Sequence, residues 1–159
     1  VDAYLARQAV FDRALGLFGY GIRFRSDPQI PAPPEAGPQA VETALHDFGL
    51  GTLVSGKKAF LTFTKAMLAT GLARLLPPAQ TVVEIAESTQ VDGPVLDACR
   101  FLKKGGYQVA LESFVPGGKL DALVPVADYL KVDFKAVPPE LRQELARKHG
   151  GPSLKLLAD

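Results

Sequence analysis

Four apolar runs in this chain each deliver an acidic residue: TVVEIAES carries Glu84, YQVALES Glu112, YLKVD Asp133 and LKLLAD Asp159. A strand buried on both faces reads as a continuous apolar run. Strands of this kind that alternate with helical stretches build a parallel sheet or barrel. In a barrel, the C-terminal strand ends meet at one mouth. Carboxylates far apart in sequence would then meet in space, and converging carboxylates suit hard divalent cations.

The remaining segments fit that scheme. LARQAVFD and LGLFGYGIRFR read as adjacent strands or a hairpin, turning near Arg13 and Ala14. Residues 26–39 hold five prolines and no apolar period, which predicts a loop. Val41, Leu45 and Phe48 recur at helical spacing, with Gly49 and Gly51 as the expected stop. KAFLTF reads as a strand. TKAMLATGLARLL reads as one helix capped by Thr64 and ended by Pro77 and Pro78. A helix is expected over 93–104, with Pro94 in its first turn and Gly105–Gly106 after it. Gly117–Gly118 reads as a turn that leads a short helix, and Pro138–Pro139 open the helix ELRQELARKH. This makes about seven strands, against the roughly 200–250 residues that a complete eight-stranded barrel takes.

Composition removes several classes of function. With 18 basic and 17 acidic residues the net charge is +1, so no polymer of nucleic acid and no charged membrane surface is expected as a partner. No apolar run approaches the roughly 20 residues that span a bilayer, and no signal peptide is evident. The single cysteine, Cys99, excludes a disulfide within the chain and suits a cytoplasmic setting. Cys99 reads as a small buried hydrophobe rather than a catalytic thiol. His46 and His149 lack paired ligand spacing, which argues against a zinc site or a histidine triad. Val1 is not Met, so the chain is read as a piece of a longer protein.

Taken in order, ARQAVFDRALGLFGYGIRFR, KKAFLTFT, VVEIAES, LKKGGYQVALESF, ADYLKVDF and LLAD resemble the EAL family of cyclic di-GMP phosphodiesterases. The likeness runs from Tyr4 to Asp159 and is nearest to a branch in which an HDOD domain follows. It implies a modified TIM barrel, α/β in class, with its first strand antiparallel and its last strand and helix lying outside residues 1–159. It also implies a site where two divalent cations, about 4 Å apart, polarise a phosphate and supply hydroxide. Gln8, beside Arg7, falls on the family's early glutamine motif, which touches a guanine base. Arg25 falls on an arginine that contacts ligand phosphate. Glu84, Glu112 and Asp133 fall on metal-ligand positions, Lys131 on the retained lysine, and Asp159 on a proposed general base. Departures accompany these matches. Gly21 stands where the signature glutamate belongs, Thr62 replaces an asparagine, Ala86 replaces a threonine, and Ser113 replaces an aspartate.

The resemblance therefore implies a degenerate site and a non-catalytic regulatory domain. One alternative is a cyclic di-GMP receptor without hydrolysis, acting through Gln8, Arg25 and the acids at the mouth. Another is a phosphodiesterase with an unusual metal site on Glu84, Glu112 and Asp133. No cofactor is required on the first reading, and Mg²⁺ or Mn²⁺ enters only with residual activity. A protein partner or self-association is expected. Lys131 is expected to form an ion pair at the mouth, with Glu84 or Glu112 as its partner.

Overall fold

The computed structural model describes residues 4–12, 16–25, 49–133, 135–149, 151 and 154–158, with only the backbone for Tyr4, Leu5, Phe24 and Arg25. The Pro-rich stretch 26–39, the expected helix over 41–48, His46 and Asp159 lie outside the described residues.

Seven strands form one sheet in chain order. They are β1 (Tyr4–Phe11), β2 (Leu17–Arg25), β3 (Lys58–Phe63), β4 (Thr81–Ile85), β5 (Gln108–Leu111), β6 (Tyr129–Val132) and β7 (Lys155–Ala158). β1 runs antiparallel to β2, and every later neighbour is parallel. Among the described residues no pairing joins β7 to β1. The architecture is an incomplete, modified TIM-type barrel.

The sheet is strongly curled. Phe18 on β2 and Tyr129 on β6 are four strands apart, which in a flat sheet means about 19 Å at roughly 4.8 Å per strand. Their ring centroids are 5.8 Å apart. Phe18 also meets Phe60 at 6.1 Å, and Phe60 meets Tyr129 at 5.6 Å. These rings, with Val82, Ala110 and Leu157, form an apolar plug on the concave face. Alternation along each strand then places the next inward residues, Thr62, Glu84 and Lys131, on the same face as the plug and nearer the C-terminal ends.

The convex face carries the main core. Leu61, Phe63, Val83, Ile85, Val109, Leu111, Leu130 and Val132 pack there with side chains from the helices. Each such burial contributes about 1.5–3 kcal/mol, so this layer fixes the curl that the concave site depends on. Helix α1 (Leu50–Leu53) runs through Gly51, so this glycine does not act as the expected helix stop. Gly49 takes the N-terminal cap position instead, at φ 69°. Helix α2 (Lys65–Thr70) has Thr64 as its cap, with Oγ1 accepting from the Met67 N–H at 3.3 Å. The single helix expected over 64–76 is broken. Gly71 adopts the left-handed conformation at φ 71°, and a 3₁₀ turn over Leu72–Leu75 follows. Helix α3 (Gly93–Lys104) buries Val95, Cys99 and Leu102 along one stripe and is capped by Asp92. A 3₁₀ turn over Asp121–Val126 precedes β6, and helix α4 (Pro139–His149) precedes β7.

One glycine is demanded by the β2–β3 contact. A Cβ on Gly19 would lie 2.5 Å from the Lys58 carbonyl oxygen, so only glycine lets these backbones approach.

Candidate functional site

Both edges of the curled sheet line one pocket. Its wall includes Gln8 from β1, Gly21 and Arg23 from β2, Phe60 and Thr62 from β3, Glu84 from β4, Lys131 from β6 and Ala158 from β7. It is a shallow, open trough, and the roughly 350 Å³ between its walls includes open solvent. The aromatic plug closes the trough below, so polar groups gather where it opens.

The deepest polar contact is an ion pair. Lys131 Nζ donates to Glu84 Oε1 at 2.6 Å, and the two side chains are 6% and 3% exposed. Register explains the pairing. At the level of Glu84 the inward residue of β5 is Ala110, and beside that on β6 stands Tyr129. Lys131 is the next inward residue of β6. Because Ala110 carries nothing beyond Cβ, the lysine reaches across β5 to β4. Two buried charges at this depth persist only as a pair, since either alone would keep its desolvation penalty.

A second pair spans the mouth. Arg23 Nη2 donates to Glu112 Oε1 at 3.3 Å, with the arginine 49% and the glutamate 15% exposed. Glu112 follows β5, and its own N–H continues the ladder by donating to the Ile85 carbonyl at 3.1 Å. Its Oε2 accepts from the Glu87 N–H at 3.4 Å. Ser113, immediately after, sits at φ 45°, a conformation that most side chains avoid.

The remaining predicted site residues divide as follows. Gln8 faces the pocket opposite Gly21. Its neighbour Arg7 is on the other face, where Nη1 donates to the Leu53 carbonyl at 3.0 Å and the guanidinium lies 4.3 Å over the Tyr20 ring. Arg7 therefore anchors α1. Arg25 ends β2 opposite Tyr4, and its side chain lies outside the described residues. Asp133 follows β6, where its Oδ1 accepts from the N–H groups of Lys135 at 2.8 Å and Ala136 at 3.2 Å. Lys131 thus pairs with Glu84, while Asp133 closes a turn of its own. Cys99 is fully buried, and desolvation pushes its thiol up to about 11. Gly118 donates to the Val115 carbonyl at 3.1 Å, and Gly117 has φ 73°, the expected turn.

The divalent cations that the resemblance implies do not fit these donors as placed. Glu84 gives Oε1 to an ammonium, Glu112 gives both oxygens to other donors, and position 21 has no side chain. Among the described residues no group of three or more His, Cys, Asp or Glu is placed to share an ion. The arrangement instead sets Arg23, Gln8 and Thr62 along the pocket wall, with Lys131 bonded to Glu84.

Arg23 was missed in the sequence. Period-two alternation along GYGIRFR places it on the same face as Gly21, which was the available signal.

No protein-family model matches the chain. It is 28% identical over 165 residues to the uncharacterized protein YuxH of Bacillus subtilis, covering 98% of this chain and 40% of that protein. It is 28% identical over 149 residues to the cyclic di-GMP phosphodiesterase CdgJ of Vibrio cholerae, covering 91% of this chain and 34% of that protein. The chain thus spans well under half the length of these curated relatives. Among solved structures it resembles the Bacillus subtilis YkuI protein, which has an EAL domain and was crystallised with substrate cyclic di-GMP and calcium. That match has a TM-score of 0.67 at 19% identity, over 98% of this chain and 48% of the other. The fold is EAL-domain-like. An antiparallel first strand followed by parallel strands in chain order is what the sequence resemblance implied. No helix among the described residues is long and apolar enough to cross a membrane.

Proposed function

We propose that this EAL-like domain is a non-catalytic signalling module that holds a cyclic dinucleotide in its trough without cleaving it. The observation that carries this reading is the buried bond from Lys131 Nζ to Glu84 Oε1. It puts an internal ammonium on the carboxylate that the resemblance assigns to a divalent cation. Hydrolysis by two metals needs several oxygens free to bridge them and a hydroxide made on them. With Gly21 lacking an acid and Glu112 engaged by Arg23, that requirement is poorly met. Binding has simpler requirements, namely a concave surface with a few convergent polar groups. Gln8, Thr62 and Arg23 supply those groups.

The choice of ligand draws on likeness. CdgJ is named as a cyclic di-GMP phosphodiesterase, and YkuI was solved with cyclic di-GMP. Fold and chemistry are separable, so a ligand can outlast a lost reaction. Output through a protein partner, with an HDOD domain as the attached module, belongs to this proposal through the sequence resemblance.

The test is a product assay. The chain is incubated with cyclic di-GMP and Mg²⁺ or Mn²⁺, and the nucleotides are separated by chromatography. Intact cyclic di-GMP after many hours is expected. Linear pGpG that accumulates only with metal would overturn the reading.

A further inference from the structure

We propose that Arg23 is a phosphate-contacting residue of the trough, which exchanges its bond to Glu112 for a phosphodiester when one enters. This inference rests on the nucleotide-binding reading above and names a residue for it.

Arg23 lines the pocket together with Gln8, Gly21 and Thr62. Its side chain is half exposed, and one nitrogen makes one bond, at 3.3 Å. Its Nε and Nη1 donate to none of the described residues. A guanidinium with most of its fork unused is suited to donate to two phosphate oxygens side by side. Gly21, two residues earlier on the same face, puts no side chain of its own between Arg23 and the floor of the trough.

The partner is the fixed member of the pair. Glu112 is largely buried, its Oε2 holds the Glu87 N–H, and its backbone is still in the ladder with β4. Arg23, half exposed and just past the last β2–β3 register pair at Ile22 and Leu61, is the one free to swing. A half-exposed pair joined by a single bond adds little to stability, so exchange for a bidentate phosphate meets little resistance. Lys131 does not compete for this role, because it is committed to Glu84 deeper in the trough. Glu112 is then a competitor of the ligand. An enzyme-like role as a metal ligand would make it a helper.

The experiment is calorimetric titration of the chain with cyclic di-GMP in EDTA, comparing wild type with Arg23→Ala, Arg23→Lys and Glu112→Gln. Thermal unfolding of each variant serves as the control for folding. Loss of a charge-assisted bond should weaken Arg23→Ala about tenfold or more. Arg23→Lys should recover part of the loss. Glu112→Gln, which frees the guanidinium, should bind several-fold more tightly than wild type. Unchanged affinity in a folded Arg23→Ala overturns this proposal alone. Weaker binding in Glu112→Gln overturns it too. Wild type that binds no cyclic di-GMP, with or without metal, overturns the nucleotide reading and this proposal together.

Discussion

Removing the ammonium from the Lys131–Glu84 pair should be costly, while removing both charges should not be. Lys131→Met keeps the stem and leaves the Glu84 carboxylate, 3% exposed, without the donor at 2.6 Å. Breaking one side of a buried pair costs about 3–5 kcal/mol. For a domain of this size each kcal/mol moves Tm by about 2–4 °C, so Tm should fall by roughly 6–20 °C. Adding Glu84→Leu removes the buried carboxylate and places an apolar group above Phe60 and Val82. Paired replacement of a buried ion pair by apolar groups is often neutral or better, so the double variant should regain most of the lost Tm. Differential scanning calorimetry of wild type, both single variants and the double closes the cycle. A loss below about 1 kcal/mol for Lys131→Met, the worth of an exposed pair, would refute the burial argument. So would a double variant as unstable as the sum of the two singles.

Three further outcomes follow from particular contacts. Gly21→Glu has room, since its Cβ would lie 3.8 Å from the nearest atom, the Gln8 carbonyl oxygen. It should fold with stability within about 1 kcal/mol of wild type and weaken cyclic di-GMP binding in EDTA, both measurable by calorimetry. The Asp92 carboxyl is held below 3.8 chiefly by its bond with Lys65 and next by the Val95 N–H. Its stabilisation is therefore present at neutral pH and lost as pH falls below the unfolded value through the lower folded one. Between pH 6 and 3, Asp92→Asn should show a flatter fall of Tm than wild type. The Cys99 thiol, pushed to about 11 by burial, should resist thiol reagents at pH 8 in the folded chain, and its labelling should follow the urea unfolding curve.

Much of the fold could be read from the chain because the middle strands are buried on both faces. TVVEI is buried at every residue and so is YLKV, and a mostly apolar run that carries a single charge has few other solutions. Thr64 and Pro94 marked helix starts by chemistry local to them. The break at Gly71 was less legible, because a glycine inside an apolar period is compatible with a continuous helix until neighbours fix its φ. The helix across Gly51 depends likewise on packing, with Leu50 buried in the core. At the site, the acids standing at the ends of apolar runs marked where the mouth lies. They left open whether Lys131 meets Glu84 or Glu112, because that depends on the small size of Ala110 and on the curl of the sheet. Both are properties of three strands together. Arg23 was overlooked because its meaning comes from Glu112, which lies 89 residues on.

On the proposed reading, the trough binds its nucleotide without a divalent ion. Calorimetry of the chain with cyclic di-GMP, once in EDTA and once in Mn²⁺, tests it directly. Equal affinity in the two buffers is expected, since the Glu84 carboxylate is already bonded to the Lys131 ammonium. Binding that appears only with Mn²⁺ would contradict it and return Glu84 to the role of a metal ligand.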